Sequence, residues 1–158
     1  MKMFVLPAVL LATAVPLTGC HIEINDTPER PRPASAPVLS TLTVRFEGIE
    51  TPTGTIMMSL FDNEAAHDQD GKPVRVAMAK IEGGVATAFF EGLAPGDYAV
   101  KSFHDIDGDM DMGTNPFGMP TEPFAFSNNA PVQGGPPNWN ATRFPVVAGA
   151  NTIRITIK

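Results

Sequence analysis

The sequence predicts an all-β domain, an antiparallel β-sandwich of about seven strands, over residues 38–158. Apolar and polar residues alternate with period two in several short segments, as they do in strands that bury one face. No segment of more than about ten residues has the apolar periodicity of an amphipathic helix. Glycine and proline, with 14 and 16 residues, punctuate the chain as short strands and turns require.

The first two strands are predicted from the clearest alternation. Residues 40–46, STLTVRF, place three apolar side chains on one face: Leu42, Val44 and Phe46. Residues 54–61, GTIMMSLF, place three inward, namely Ile56, Met58 and Leu60, with Met57, Ser59 and Phe61 on the opposite face. In the segment that follows, DNEAAHDQDGKP, we expect one helical turn and then a turn at Gly71, with His67 exposed.

Three later strands complete the pattern. VRVAMAK (74–80) and VATAFFE (85–91) flank Glu82-Gly83-Gly84, which predicts a hairpin connection. The last segment, NTIRITIK (151–158), alternates isoleucine with polar residues. Short strands separated by turn residues favour antiparallel pairing.

One turn is more specific than the others. Gly92-Leu93-x-Pro95-Gly96-x-Tyr98 joins two predicted strands. This motif resembles the turn of transthyretin-like and carboxypeptidase-regulatory-like sandwiches, an Ig-like architecture. The resemblance implies that Leu93 fills the core and that the Tyr98 ring packs against the turn. An ordinary Pro-Gly turn is the alternative, and both interpretations give β-structure.

Residues 1–19 have the layout of a signal peptide. Lys2 precedes an apolar run, interrupted by proline, that is too short to span a bilayer. The run ends in Leu17-Thr18-Gly19-Cys20, which resembles the lipobox of bacterial lipoproteins. That resemblance implies acylation of Cys20, with palmitate among the chains, and a membrane anchor. A free thiol is the alternative, although Cys20 is the only cysteine of the chain.

The segment after the cysteine is expected to be a disordered tether, residues 20–37. It is rich in proline between Pro28 and Pro37 and poor in apolar residues, so it buries too little surface to offset its ordering entropy. An irregular arm packed on the domain is the alternative. His21, by resemblance to Gram-negative lipoproteins, favours the outer membrane, facing either the periplasm or the cell surface.

The charge balance limits the partners. The chain has 11 basic and 17 acidic side chains, a net charge of −6, which becomes −7 when Lys2 is removed with the signal peptide. Because no basic cluster occurs, we expect no nucleic-acid partner and a membrane contact only through the lipid anchor. A protein or glycan partner is left open.

Four aspartates occupy alternate positions after the Tyr98 strand: Asp105, Asp107, Asp109 and Asp111. Ca²⁺ takes about six to eight oxygen ligands, and alternate carboxylates suit it. The spacing matches the first half of an EF-hand loop but not the second, where Met110 and Pro116 stand at the sixth and twelfth places. Glu122 or Asn115 would close a different cage. A solvated acidic turn is an alternative of equal weight.

Three spaced motifs carry a family resemblance: His104-Asp105-x-Asp107-x-Asp109, Gly118-Met119-Pro120-x-Glu122 and Phe126-Ser127-Asn128-Asn129. Over residues 41–158 they resemble the bacterial family called domain of unknown function 2141. This chain departs from the family pattern at Gly113, where an acidic residue is frequent, and at Asp111, where a non-acidic one is usual. The resemblance implies a small secreted or lipid-anchored sandwich and supplies no reaction.

Residues 117–129 are predicted to brace one end of the sandwich. Phe117, Phe124 and Phe126 would be apolar anchors, while Ser127, Asn128 and Asn129 would hydrogen-bond backbone groups. The alternative is a binding surface formed by seven residues: His104, Phe117, Phe124, Phe126, Asn128, Asn129 and Trp139.

No motif predicts catalysis. Ser127 lacks the Gly-x-Ser-x-Gly context of a nucleophile, and the aspartate run lacks the nitrogen or sulfur ligands that zinc prefers. The sequence therefore predicts a non-catalytic binding or structural module of the cell envelope, with a Ca²⁺-stabilised loop and no other cofactor. The rival hypothesis is a hydrolase-like enzyme that uses His104 with the neighbouring carboxylates.

Overall fold

The computed structural model describes residues 39–158, so the predicted signal peptide, acylated Cys20 and tether lie outside the described residues. In this range the chain forms eight strands and a few short helical segments. The strands are β1 (Ser40–Glu47), β2 (Thr55–Phe61), β3 (Arg75–Glu82), β4 (Val85–Leu93), β5 (Gly96–Asp105), β6 (Phe124–Phe126), β7 (Phe144–Val146) and β8 (Gly149–Thr156). The helical segments are α1 (Glu64–Asp68), a 3₁₀ turn (Ser127–Asn129) and α2 (Trp139–Thr142).

The strands form one curled sheet, a half-barrel, in the order β6-β5-β2-β3-β4-β1-β8, with β7 also paired to β5. The all-β prediction is confirmed. Strand β3 connects the two parts of the sheet, because it pairs with β2 from Arg75 to Lys80 and with β4 at Ile81 and Glu82. This pairing path runs from β6 to β8 without a break, so the strands do not divide into two separate sheets. The predicted two-sheet sandwich of the Ig or transthyretin-like type is therefore not confirmed and stays a prediction.

One pairing differs from the antiparallel expectation. Strands β1 and β8 run parallel, with Val44 opposite Ile153 and Phe46 opposite Ile155. Parallel neighbours need a long connection between them, and here almost the whole domain lies between the two strands. The alternation of each strand revealed its faces but not the direction of its neighbour.

The main core lies on the concave face of the sheet. Its side chains are those that the period-two pattern predicts, and six of the largest are fully buried: Leu42, Phe46, Ile56, Leu60, Ile155 and Ile157. Two large core residues of β1 face alanines of β4, with Val44 opposite Ala88 and Phe46 opposite Ala86. Such pairs fill the space between strands without overlap.

A second, smaller core covers part of the opposite face. Phe61, predicted to lie on that face, does so but is only 4% exposed, because Ala99, Trp139 and Ala66 pack around it. Helices α1 and α2 supply this cover, and each begins at an asparagine, Asn63 or Asn138, whose side chain accepts a backbone N–H of its first turn. The predicted helical turn near residue 65 is therefore confirmed, and it has a packing role.

The turn between β4 and β5 has the geometry expected from its motif. Leu93 is buried, and the Tyr98 hydroxyl donates to the Ala94 carbonyl oxygen at 2.9 Å. Gly92 has φ 70, a left-handed conformation that glycine adopts without strain. Burial of the ring raises the pKa of Tyr98, and the charge of Asp62 adds to this effect. Within residues 39–158, no helix has the length and apolar content needed to cross a bilayer.

Replacement of Leu42 by alanine tests the placement of the main core. Leu42 is fully buried, so Leu42→Ala should lower the free energy of unfolding by about 2–5 kcal/mol through lost burial and a residual cavity. The matched control is Thr41→Ala, the next residue on the exposed side of β1, which should change it by less than about 0.5 kcal/mol. Urea denaturation measures both values, and equal effects would contradict the assigned faces.

Candidate functional site

Strand β5 ends at Asp105, whose side chain starts the acidic loop. Asp105 is 3% exposed, and its two carboxylate oxygens accept the backbone N–H groups of Gly108 at 2.7 Å and Met110 at 3.3 Å. A buried carboxylate needs such donors to replace water. Gly108 and Met110 both have positive φ, 82 and 69 respectively. The chain thus folds back over the Asp105 carboxylate.

Asp107 and Asp109 bring their carboxylates to the same place. One oxygen from each of Asp105, Asp107 and Asp109 lies within 4.8 Å of the other two, and we call these three residues the aspartate triad. Asp107 also accepts the Asp109 N–H at 3.2 Å, and Asp109 accepts the Asp111 N–H at 2.8 Å. These are local aspartate turns, which explain why the alternating sequence folds into a tight loop. Both sequence hypotheses, cation site and acidic turn, are compatible with this geometry.

The structure does not bring Asp111 and Glu122 into the triad. Asp111 is exposed, and its backbone rather than its carboxylate contacts Asp109. Glu122 accepts the Ile106 N–H at 2.9 Å with one oxygen and the Gly113 N–H at 3.1 Å with the other. Glu122 therefore joins the start and the end of the acidic loop, and it acts as a clamp on the backbone.

His104 is buried beside the triad, but its imidazole hydrogen-bonds a backbone carbonyl and not a triad carboxylate. Its side chain is 1% exposed, and Nε2 lies 2.7 Å from the Thr53 carbonyl oxygen, to which it must donate because a carbonyl only accepts. Gly54 has φ 90, and a Cβ atom there would lie 2.3 Å from the Asp105 carbonyl oxygen and 3.0 Å from His104 Nε2. Thus His104 packs under the loop that joins β1 to β2.

The brace predicted around residues 127–129 is confirmed. Ser127 Oγ accepts the Val100 N–H at 2.9 Å and donates to the Thr142 carbonyl oxygen at 2.6 Å. Asn128 donates to the carbonyl oxygens of Ala141 and Arg143, and Asn129 accepts the Thr156 N–H at 2.7 Å. These bonds join the end of β6 to α2 and β8, which lie far away in the chain.

The aromatic residues of the predicted binding surface do not share one exposed face. Phe117 is 88% exposed at the tip of the long loop, so its predicted role as an apolar anchor is wrong. Trp139 is 8% exposed and belongs to the small core, and Phe126 is equally buried. Phe124 is half-buried and lies edge-on to Phe126, with ring centroids 6.0 Å apart. Asn128 and Asn129 are exposed, but their amide groups are used in the brace.

His67 is the principal polar residue that sequence reasoning misplaced. It was expected in an exposed turn, but it is fully buried between Phe61 and Trp139, with ring centroids 5.4 and 5.9 Å away. Its Nδ1 donates to Asp68 at 2.7 Å, and the same carboxylate oxygen accepts the Trp139 N–H at 2.8 Å. The cap residues and periodicity around α1 did not reveal this, because α2 comes from about seventy residues later.

The contacts of His67 resemble a catalytic chain but serve packing. The Thr142 hydroxyl lies 3.2 Å from His67 Nε2, so a hydroxyl, an imidazole and a carboxylate stand in sequence. However, Thr142 is fully buried, and its hydroxyl also lies within hydrogen-bond distance of the carbonyl oxygens of Asn138 and Trp139. A hydroxyl without access to a substrate is not a nucleophile. This chain of contacts joins α1 to α2.

The profile of a bacterial family matches residues 44–154, from β1 to β8. The family is described as "uncharacterized protein conserved in bacteria" and carries the name domain of unknown function 2141 (DUF2141). The chain belongs to this family. The DUF2141 match includes the triad, the clamp, the brace and both helices, so these features lie within the family domain. Comparison with curated proteins and with solved structures gives no match.

This DUF2141 domain should become less stable in acid, because protonation removes the charge of Asp68 that stabilises the fold. The hydrogen bond from His67, followed by that from the Trp139 N–H, holds the pKa of Asp68 below its ordinary value, although burial opposes this. A carboxylate with a lowered folded-state pKa stabilises the fold above its unfolded pKa of about 4, and this stabilisation is lost as the pH falls through the folded-state value.

Asp68→Asn keeps an oxygen acceptor and removes the charge. It should therefore destabilise the fold at about pH 7 and have a progressively smaller effect as the pH falls below about 4, as measured by urea denaturation at each pH. Glu91→Gln, at an exposed position of β4, is the control and should have little effect at either pH. An Asp68→Asn effect that does not change with pH would contradict the account.

Proposed function

We propose that this protein is a non-catalytic binding or structural module of the cell envelope whose aspartate triad binds Ca²⁺. The observation that carries the proposal is the convergence of three carboxylate oxygens within 4.8 Å. Like charges at this separation repel one another, and a cation between them removes the repulsion. Among the ion pairs of residues 39–158, none joins a lysine or arginine to the triad.

The donor chemistry favours a hard cation. All three triad ligands are carboxylate oxygens, and Ca²⁺ takes about six to eight oxygens at about 2.3–2.6 Å in flexible geometry. Loop carbonyl oxygens and water would supply the remaining ligands. His104 does not offer Nε2 to an ion, since that nitrogen faces the Thr53 carbonyl oxygen. The triad is thus unsuited to zinc, which prefers nitrogen and sulfur ligands.

The proposed role of the ion is to fix the long loop. With Asp105 buried at the base, an ion would tie Asp107 and Asp109 to the end of β5. The segment up to Glu122 would then be held at both of its ends, by the ion and by the clamp. A protein or glycan partner would contact the ordered loop. The enzyme hypothesis has less support, because the His104 Nε2 atom is already hydrogen-bonded.

The location is proposed from the N-terminal motif. Leu17-Thr18-Gly19-Cys20 supports cleavage before Cys20, acylation of its thiol and amino group, and attachment to the outer membrane through the acyl chains. The proline-rich residues 20–37 would separate the domain from the membrane surface. Within this proposal the half-barrel is a transthyretin-like sandwich, as the turn from Gly92 to Tyr98 suggests.

Calcium titration tests the triad. The chain with Cys20→Ser should bind Ca²⁺ in calorimetry and melt at a higher temperature in Ca²⁺ than in EDTA. At a free Ca²⁺ concentration about 100 times the dissociation constant, the free energy of unfolding would increase by about 2.7 kcal/mol. Asp107→Asn should abolish both effects, because it removes one of the three ligand carboxylates.

Asp111→Asn is the matched control, since Asp111 belongs to the same acidic run but lies outside the triad. It should keep the rise in melting temperature. If Asp107→Asn and Asp111→Asn lose the Ca²⁺-dependent rise in melting temperature equally, the effect is one of diffuse charge and not of a defined site. If the unmodified loop gives no binding heat and no change in melting, the triad is a solvated acidic turn.

The anchor has its own test. In a Gram-negative host, the protein should incorporate labelled palmitate and sediment with membranes, and Cys20→Ser should abolish both properties because it removes the only thiol. His21→Ala, next to the cysteine, is the control and should keep acylation. Membrane association of Cys20→Ser equal to that of the original chain would contradict the anchor.

A further inference from the structure

A groove of about 740 Å³ crosses the outer face of β2, β3 and β5 and ends at the acidic loop. Its lining is mostly apolar and rich in methionine. Five of the six methionines between residues 39 and 158 contribute to it, and all of these except Met58, which is buried in the main core, are at least partly exposed. We call Met57, Met78, Met110 and Met112 the methionine cluster.

Two members of the cluster are neighbours in the sheet. Met57 on β2 lies directly opposite Met78 on β3, so their side chains stand side by side on one face. On its other side Met57 is opposite Phe103 of β5, which also lines the groove. Met78 is 64% exposed, so most of its side chain is in contact with solvent and not with the core. Core packing therefore does not account for it.

The other two come from the acidic loop. Met110 has φ 69, a left-handed conformation that is uncommon for residues other than glycine, asparagine and aspartate. The Asp105 carboxylate holds this conformation through the Met110 N–H, yet the side chain is 63% exposed. The turn over Asp105 thus fixes the backbone of Met110 and leaves its thioether at the surface, beside the groove. Met112 follows two residues later and lines the same groove.

We propose that the methionine cluster binds a soft monovalent cation, Cu(I) or Ag(I), through its thioether sulfurs. Thioethers are soft ligands that select Cu(I) over the hard cations that carboxylates bind. Methionine side chains have three rotatable bonds, so sulfurs from two strands and a loop can adjust to one ion. The aspartates beside Met110 and Met112 in the sequence favour a cation without serving as ligands, and Lys101, which also lines the groove, is paired with Asp70 at 2.8 Å. The site is thus separate from the triad in both residues and chemistry.

Ag⁺ is the probe, because it needs no reductant. The whole chain with Cys20→Ser, which contains no thiol, is titrated with silver nitrate by calorimetry in chloride-free buffer. We expect about one Ag⁺ per chain, with affinity nearly unchanged between about pH 5 and 7, because thioethers do not titrate there. Met78→Leu and Met110→Leu should each weaken binding by about tenfold or more, since even outer-shell changes at metal sites cost about 10–100-fold.

The control variants distinguish a defined methionine site from scattered binding of Ag⁺ to the chain. Leucine conserves the volume of methionine, so these variants should fold, and circular dichroism verifies that they do. Met119→Leu, an exposed methionine of the same loop that does not line the groove, should bind Ag⁺ as the parent does. Asp107→Asn should also retain binding, which distinguishes this site from the calcium site.

Methyl resonances give a second measurement. The signals of Met57, Met78, Met110 and Met112 should shift on addition of Ag⁺, while those of Met58 and Met119 should not. The proposal is overturned if Ag⁺ shows no saturable binding, or if binding persists when all four cluster residues are leucine. It is also overturned if Met119→Leu weakens binding as much as Met78→Leu.

Discussion

The carboxylate of Asp105 is the interaction on which the long loop of this domain depends. It is nearly inaccessible to water, so its charge must be met by protein donors, and the N–H groups of Gly108 and Met110 supply them. To deliver those groups the chain must turn back at once, which requires left-handed conformations at both residues. That turn places Asp107 and Asp109 beside Asp105 and directs Met110 to the outer face of the sheet. Two candidate cation sites of opposite character thus arise from one buried charge.

The rest of the domain supplies a rigid base for this turn. Strand β5 pairs with β2, β6 and β7, so the strand that ends in Asp105 is held on both edges. Beyond the loop, Ser127 and Asn129 join the returning chain to β5 and β8. The buried contacts of His67 attach α1 and α2 to the outer face of the same strands. These buried polar side chains hydrogen-bond to specific partners. Their hydrogen bonds hold in place the long segment after β5, most of which has no regular secondary structure.

Period-two alternation predicted the strands well, because burial of one face is a local property: Leu42, Val44 and Phe46 are buried as expected. The alternation held no information on the partner of a strand, so the parallel contact between β1 and β8 was missed. His67 was misplaced for a related reason, since its cover comes from Trp139 and Thr142, far along the chain. In the acidic run, the aspartate pattern correctly indicated Asp105, Asp107 and Asp109 as neighbours. It failed to separate them from Asp111, which lies outside the triad, and from Glu122, whose oxygens accept backbone N–H groups instead.

A pair of crystal structures, one grown with CaCl₂ and one with EDTA, would show directly whether the triad binds Ca²⁺. In the calcium form we expect a strong peak about 2.3–2.6 Å from one oxygen of each of Asp105, Asp107 and Asp109. In the EDTA form that peak should be absent, while Asp105 keeps its bonds to Gly108 and Met110. Water alone between the three carboxylates in both forms, with Asp107 and Asp109 turned away from Asp105, would contradict Ca²⁺ binding by the triad.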